Sequence, residues 1–282
     1  MLRMALPNKG MLAEGAVELV REAGYWCRRL DGELVLRDVE NEVEFVFLRP
    51  RDIALYVGSG VLDLGVTGRD FVVDSEARVV ELLELDFGHS AFYYAVPRDS
   101  GLTGGGFVGR RIATSFANVV RRDLQRRKVE AQVVRLDGAV EISVALGVAD
   151  AVADVVQTGR TLEQAGLVKV GEPVMESEAV LVGRDASVIG KPSIERVLKR
   201  LRGIVLARQY VMVEYDVAHE LVDAACRITP GIGAPTVMPL SKQGWVAIKA
   251  MVVRRQTNSI MDQLQEMGAT GIVVTDIRTC RI

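Results

Sequence analysis

The 282-residue sequence has little of what marks several large classes of protein. Aromatic residues make up only 5% of it, which disfavours base-stacking platforms. Lys and Arg (35) nearly balance Asp and Glu (37), so no general attraction to nucleic acid is expected. No apolar run approaches the roughly 20 residues of a membrane span, so no membrane partner is expected. The composition of the whole chain, 49% hydrophobic and 26% charged, is typical of a globular protein with a substantial core.

Cysteine and histidine are also scarce. Cys27, Cys226 and Cys280 are widely spaced and form no Cys-x-x-Cys pair, and His89 and His219 are the only histidines. This pattern indicates neither a disulfide framework nor a zinc site. No Gly-Lys-Ser or Gly-Lys-Thr sequence is present, which excludes a Walker phosphate loop. The few apolar residues before Pro7 are too short for the core of a signal peptide, so we expect a cytoplasmic location.

The stretch from Asp150 to Leu162 carries the strongest chemical signal. Ala151 to Val156 is typical of a buried parallel strand, and a helix is predicted to begin near Leu162. Between them lies a loop rich in hydrogen-bond donors, Gln157, Thr158, Gly159, Arg160 and Thr161. A loop of this kind before a helix suits a phosphate group, and Asp154 at the strand end suits sugar hydroxyls. The local prediction is a 5-phosphoribosyl site.

An ordinary turn is the alternative interpretation of the same loop. In that case Thr161 would cap the helix and Asp154 would pair with a nearby arginine. A longer pattern favours the first interpretation. It runs from Glu141 through Gly147-Val148-Ala149, Val152 and Asp154-Val155 to Thr158-Gly159-Arg160-Thr161-Leu162.

This pattern resembles the signature of ATP phosphoribosyltransferase, the first enzyme of histidine biosynthesis. The resemblance extends over the whole chain, through Leu6 to Gly10, Phe47 to Pro50 and Leu136 to Glu141, into the C-terminal region. The chain is similar to the long form of the family, which carries its own regulatory domain.

Two segments also resemble each other. Arg49 to Asp63 can be superposed on Leu136 to Asp150, with a short helix ending at glycine and Gly-Val-x-Asp before an apolar strand. In the second copy, the helix is predicted over Ala139 to Leu146. A competing register places Thr67-Gly68-Arg69 on Thr158-Gly159-Arg160; we prefer the first because it aligns whole elements. The repeat predicts two α/β lobes that face each other across a cleft.

The predicted fold class is α/β. The resemblance implies a two-lobed catalytic part similar to periplasmic binding proteins. After about residue 206, the order βαββαβ predicts a ferredoxin-like domain. We therefore expect residues 1–92 with 178–205 to form catalytic lobe I, residues 93–177 to form catalytic lobe II with the phosphate loop, and residues 206–282 to form a regulatory domain.

The resemblance implies that ATP and 5-phosphoribosyl 1-pyrophosphate are the substrates, with Mg²⁺ as the cofactor and histidine and AMP as inhibitors. Lys9 and Arg49 are expected to face pyrophosphate or triphosphate, with Arg51 as a further candidate. Asp70 and Glu141 are expected to orient ribose or adenine, and the direct ligands of Mg²⁺ are left unassigned. Asp216 and Thr236 are matched to the family's histidine contacts, and a homo-oligomer of dimers that form hexamers is expected.

Two other functions stay open from the sequence alone. A two-lobed body with a phosphate loop could be a solute-binding module without catalysis, although such proteins are normally exported. A regulatory subunit that senses an amino acid would explain the third domain, but it would not need Lys9, Arg49 and the Glu141-to-Leu162 pattern.

Overall fold

The computed structural model describes residues 1–28, 32–102, 106–156 and 159–281. The chain divides into two compact units. Met1–Arg21 with Tyr25–Leu198 forms the first, and Glu22–Gly24 with Lys199–Ile282 forms the second. Within the described ranges, no helix is both long enough and apolar enough to cross a membrane.

The first sheet is formed mainly by the N-terminal part of the chain. Its elements are β1 (Leu2–Pro7), α1 (Met11–Glu22), β2 (Val35–Asp38), β3 (Val43–Leu48), α2 (Pro50–Gly58), β4 (Leu64–Gly68), α3 (Arg69–Ser75) and β5 (Val80–Glu84). Strand β1 pairs in parallel with both β3 and β4, and β2 adds antiparallel to β3. The near-continuous apolar run of β1 fits this central place, because a parallel strand is covered on both faces.

The second sheet repeats this parallel arrangement. Its elements are β6 (Ser90–Pro97), β7 (Arg111–Thr114), α4 (Ala117–Arg127), β8 (Gln132–Arg135), β9 (Ala151–Val156), α5 (Arg160–Gln164) and β10 (Leu167–Ser177). The strand order is β10-β6-β9-β7-β8, with β7 parallel to both β8 and β9. Strand β11 (Ala179–Gly183) then returns to the first sheet, between β4 and β5.

The chain crosses between the two sheets twice, before β6 and after β10. The crossings lie side by side, because the Leu85 amide donates to the Ala179 carbonyl at 3.0 Å and the Ala179 amide donates to the Phe87 carbonyl at 2.9 Å. We call the first sheet with its helices the first lobe, and the second sheet with its helices the second lobe.

The helix predicted over Ala139 to Leu146 does not form at that length. Only Val140–Ser143 is helical, as a short 3-10 turn. Ala139 takes a left-handed backbone conformation with φ at 48°, so a helix cannot begin there. Val140, Ile142 and Val144 are β-branched, which also disfavours extension.

The internal repeat appears in the backbone hydrogen bonds. The Val61 amide donates to the Tyr56 carbonyl at 3.1 Å, and the Val148 amide donates to the Ser143 carbonyl at 2.9 Å. The glycine before each donor has positive φ, 77° at Gly60 and 71° at Gly147, where a side chain would be strained. These matches confirm the preferred register.

The second unit contains a four-stranded antiparallel sheet. Helix α6 (Pro192–Gln209) leads into β12 (Tyr210–Ala218), α7 (Val222–Ile228), β13 (Thr236–Pro239), β14 (Trp245–Val253), α8 (Thr257–Glu266) and β15 (Thr270–Asp276). The strand order is β13-β14-β12-β15. Alternate residues of β12 and β14 are buried in one core that includes Leu264 of α8. Together the three sheets confirm the predicted α/β class, with a two-lobed first part and a ferredoxin-like domain of order βαββαβ.

Candidate active site

Two exposed cations lie at the carboxyl ends of parallel strands in the first lobe. Lys9 follows β1 and Arg49 follows β3. The Asn8 amide donates to the Leu48 carbonyl at 2.8 Å and holds the two strand ends together. Neither cation has an ion-pair partner among the residues that the structure describes, so both charges are available to an anion.

Asp70 is the second residue of α3, which follows β4 directly, and its side chain is buried. The Ser177 hydroxyl, at the end of β10 in the second lobe, donates to Asp70 Oδ1 at 3.0 Å, and the Phe71 amide donates to the same oxygen at 2.9 Å. Burial raises the pKa of the Asp70 carboxyl, while these hydrogen bonds oppose the rise. Asp70 is therefore a rigidly held carboxylate where the two lobes meet.

Asp154 is the corresponding acid of the second lobe, near the end of β9. Within the described part of the chain, its carboxylate accepts only the amide of Val155, at 2.8 Å. Burial, together with the charges of Glu141 and Asp70, raises the pKa of Asp154 to about 6. Three predicted site residues that are far apart in the sequence, Asp70, Glu141 and Asp154, are therefore close enough in the structure for their charges to act on Asp154.

The predicted phosphate loop is described from Gly159 onward; Gln157 and Thr158 lie outside the described residues. Gly159 precedes α5 with φ at 79°, a conformation that favours glycine. Thr161 lies within α5 and does not cap it, and Asp154 pairs with no arginine in the described ranges. These observations remove both supports of the ordinary-turn interpretation. Arg160 is exposed at the first position of the helix.

A cavity of about 410 Å³ lies between the lobes. Lys9 and Asp70 line it together with Phe71, Phe116 and Val155, so its wall is largely apolar. Sequence reasoning missed Phe71, Phe116 and Ser177. The position of Phe116, just after β7, is the one available signal, because ligands of α/β sheets bind at the carboxyl ends of strands.

Arg51 does not point to a polyphosphate site as the sequence suggested. Its guanidinium is paired with Asp74 and also donates to the Ser115 carbonyl at 2.7 Å. A cation engaged by two protein acceptors offers fewer donors to a substrate.

The two expected histidine contacts lie on one face of the sheet in the second unit. Asp216 is in β12 beside Gly271 of β15, and Thr236 begins β13 opposite Lys249. Strand β14 separates β12 from β13, and the β14 residues that pair with Asp216 and Thr236 are two positions apart, so the two residues are roughly 12 Å apart on the sheet. A ligand that contacts both must span β14.

A preformed metal cage is not present in the described ranges, since no group of three or more His, Cys, Asp or Glu side chains could hold an ion. Asp70 nevertheless lines the cavity, and the negative charges of Glu141 and Asp70 both act on Asp154, which precedes the cavity-lining Val155. That charge fits an Mg²⁺ ion whose coordination is completed mainly by substrate oxygens and water.

Comparison with known proteins shows the family of the chain. A sequence model of the ATP phosphoribosyltransferase family matches residues 49–203, and a second model, for the C-terminal domain of HisG, matches residues 207–279. The ATP phosphoribosyltransferase of Salinibacter ruber is 56% identical over all of both chains. That of Corynebacterium jeikeium is 54% identical, again over the full length of both.

Among solved structures, the ATP phosphoribosyl transferase (HisG:HisZ) complex from Thermotoga maritima matches with a TM-score of 0.64 and 25% identity. The match covers 73% of this chain and 99% of that one. Fold, site and relatives define the class as phosphoribosyltransferases. Within that class, the chain belongs to the ATP phosphoribosyltransferase family of histidine biosynthesis.

Proposed function

We propose that the protein transfers the 5-phosphoribosyl group of 5-phosphoribosyl 1-pyrophosphate to N1 of the adenine ring of ATP. The N1 lone pair forms the new bond to C1 of the ribose, and the bond from C1 to the pyrophosphate oxygen breaks with its electrons leaving on pyrophosphate. Positive charge develops on the sugar and negative charge on the leaving group. No covalent intermediate with the protein is needed, so positioning and electrostatics carry the catalysis.

Each side of the cleft has a separate task in this proposal. The loop that ends in Gly159, Arg160 and Thr161 holds the 5-phosphate, with Gln157 and Thr158 completing it. Lys9 and Arg49 neutralise the pyrophosphate or triphosphate, a role that is supported by their exposure and by the lack of an ion-pair partner within the described ranges.

The carboxylates act on the uncharged parts of the substrates. Asp154 accepts hydrogen bonds from ribose hydroxyls, while Glu141 and Asp70 orient ribose or adenine from the two lobes. Asp154 and Glu141 are the side chains that would assist an Mg²⁺ ion, which when bound would supply further neutralisation of the leaving pyrophosphate.

The observation that carries the proposal is one interlobe cavity lined by the cation Lys9, the carboxylate Asp70 and Val155, the residue next to Asp154. The test is incubation of the purified chain with ATP, 5-phosphoribosyl 1-pyrophosphate and Mg²⁺. We expect pyrophosphate and phosphoribosyl-ATP in equal amounts, with neither formed when one substrate is omitted. Binding of both substrates without product would contradict the proposal and favour a non-catalytic module.

We further propose that histidine inhibits the reaction from the second unit, through Asp216 and Thr236. The position of both side chains on one face of the four-stranded sheet supports this assignment. Histidine titrations of the wild type, Asp216→Ala and Thr236→Val should show weakened inhibition in both variants at unchanged kcat. Asp223→Ala, in α7 of the same unit, is the matched control. Wild-type inhibition in both site variants would refute the assignment.

A homo-oligomer of dimers that assemble to hexamers is part of the same proposal. Met238 and Val273 are 45% and 53% exposed on the sheet, which supports a contact surface in the second unit. Mass measurement in solution, with and without histidine, is the test. A monomer at working concentration under both conditions would rule the assembly out.

A further inference from the structure

Arg51 lies behind the apolar wall of the cavity and not in it. Its guanidinium, which extends from α2 of the first lobe, pairs with Asp74 of α3 and donates to the Ser115 carbonyl in the second lobe. The guanidinium carbon is 5.7 Å from the centre of the Phe71 ring and 5.0 Å from that of Phe116. One cation thus contacts a carboxylate, a carbonyl and two rings, and it joins the lobes.

Asp74 extends this connection into the second lobe. Its side chain is only 5% exposed. Its carboxylate accepts the backbone amide of Asn118 at 2.9 Å, and its own carbonyl accepts the Asn118 side-chain amide at 2.7 Å. A carboxylate at the first turn of a helix is favourable because the amides there lack helical partners. Asp74 of the first lobe therefore fixes the start of α4 in the second.

The residues held in this way form the turn between β7 and α4. This turn is the second lobe's counterpart of the Lys9 turn, since each follows the central parallel strand of its sheet. It contains Phe116, whose ring centre is 5.2 Å from that of Phe71. Both rings line the cavity, whereas Arg51 and Asp74 do not.

We propose that Arg51 and Asp74 are positioning residues, which hold Phe116 beside Phe71 so that the two rings form the wall that receives the adenine ring of ATP. This inference rests on the proposed function. A planar, weakly polar base gains from contact with aromatic rings, whereas a phosphorylated sugar does not. The phosphate loop follows β9, and its described residues form no hydrogen bond or ion pair with Arg51 or Asp74, so the two substrates depend on different parts of the cleft.

The experiment measures KM for each substrate separately in Asp74→Asn and Arg51→Met, together with the thermal midpoint. We expect KM for ATP to rise at least about fivefold and KM for the phosphoribosyl substrate to stay within about twofold of wild type. If Arg51 and Asp74 only stabilised the fold, the variants would have a lower thermal midpoint and a smaller active fraction, but neither KM would differ from that of the wild type. Arg51→Lys keeps the charge but cannot reach both acceptors, so it should restore part of the ATP affinity.

Glu76→Gln is the matched control. It removes another ion pair across the lobes, with Arg122 at 3.2 Å, in which both side chains are more than half exposed. Exposed pairs contribute little, so both KM values should match the wild type. If the first variants do not fold, Asn118→Ala is used instead; it removes the side-chain donor to the Asp74 carbonyl, together with an exposed acceptor for Arg121.

Equal KM values for ATP in the wild type and in a folded Asp74 or Asn118 variant would overturn the inference, as would an equal rise for both substrates. If the wild type forms no product at all, the proposed function fails instead. The two failures are therefore distinguishable.

Discussion

Asp63 and Asp150 occupy the same place in the two lobes. The carboxylate of Asp63 accepts the backbone amide of Arg3 at 2.9 Å, and that of Asp150 accepts the backbone amide of Arg111 at 2.8 Å. In both cases the aspartate amide donates back to the carbonyl of the same arginine, at 3.0 Å and 2.8 Å. Each aspartate thus connects the residue just before a parallel strand, β4 or β9, to the central strand of the same sheet, β1 or β7.

These aspartates should matter for stability and not for catalysis. Asp63→Ala or Asp150→Ala is expected to lower the free energy of unfolding by about 1.5 to 3 kcal/mol, the usual contribution of a hydrogen bond to a charged group. Hydrogen bonds from Arg111 hold the pKa of Asp150 below its usual value, so its contribution is present above about pH 4 and is lost as pH falls through the lowered pKa. Chemical denaturation of each variant measures the loss, and a changed KM for either substrate would contradict the assignment.

The pKa of Asp154 predicts an acid limit for activity. Below about 6 the carboxyl becomes protonated and stops acting as an anionic acceptor for ribose hydroxyls. We expect kcat/KM for the phosphoribosyl substrate to fall up to about tenfold for each pH unit below that value. Asp154→Asn should lower kcat/KM by about a hundredfold or more at neutral pH and should lack this step. If kcat/KM of Asp154→Asn fell at acid pH with the same midpoint as the wild type, the titrating group would be another residue or the substrate.

The same carboxyl should reduce stability at neutral pH. Because its pKa is higher in the folded than in the unfolded chain, its favourable contribution is complete below about pH 4 and is lost as pH rises through about 6. Asp154→Asn should therefore be more stable than the wild type at about pH 8, by about 1 to 2 kcal/mol. The difference should shrink towards pH 4. Melting curves at both pH values measure it, and a less stable variant at pH 8 would contradict the prediction.

Two glycines of β4 offer a matched pair of substitutions. A methyl group added at Gly68 would meet the carboxylate of Asp70, whereas one added at Gly65 would meet Ile53 in the core. Gly68→Ala should displace Asp70, lower kcat about tenfold or more and also lower the melting temperature, because the buried hydrogen bonds from Ser177 and Phe71 are lost. Gly65→Ala should lower the stability by about 1 to 3 kcal/mol and leave KM unchanged. Rates and melting temperatures of both variants test this, and the opposite pattern would refute it.

The two cations at the strand ends should act on the charged substrates. Lys9→Ala and Arg49→Ala are each expected to lower kcat/KM about tenfold to a hundredfold, because each loses a charge-assisted contact to phosphate oxygens. Arg37→Ala is the control, since Arg37 is exposed and pairs with Glu44 at 2.7 Å. Steady-state kinetics at low ionic strength gives the comparison. Equal losses in Arg37→Ala would indicate a general charge effect.

Much of the fold could be predicted because local patterns specify it. Apolar strands, glycines with positive φ and the Gly-Val-x-Asp repeat are local features, and the hydrogen bonds of Val61 and Val148 confirm the register that they predicted. The order of elements after about residue 206 likewise predicted the ferredoxin-like sheet. The prediction of a helix over Ala139 to Leu146 was wrong, because it relied on the spacing of apolar residues and gave too little weight to the β-branched residues that disfavour a helix.

The site was only partly predictable, because its walls come from contacts between distant segments. Ser177 meets Asp70 across 107 residues of chain, and Asp74 meets Asn118 across 44. No local pattern specifies such pairs. The sequence could identify Arg51 as a cation, but its partner Asp74 is known only once α3 is packed against α4. The roles of the individual site residues stay predictions.

The two crossings between the sheets lie side by side, with Leu85 and Phe87 bonded to Ala179. The second lobe is therefore an insertion whose two ends are adjacent in space, so it could be removed or exchanged for a relative's lobe without opening the first sheet. Chimaeras joined at these crossings would combine the cations of one relative with the phosphate loop of another.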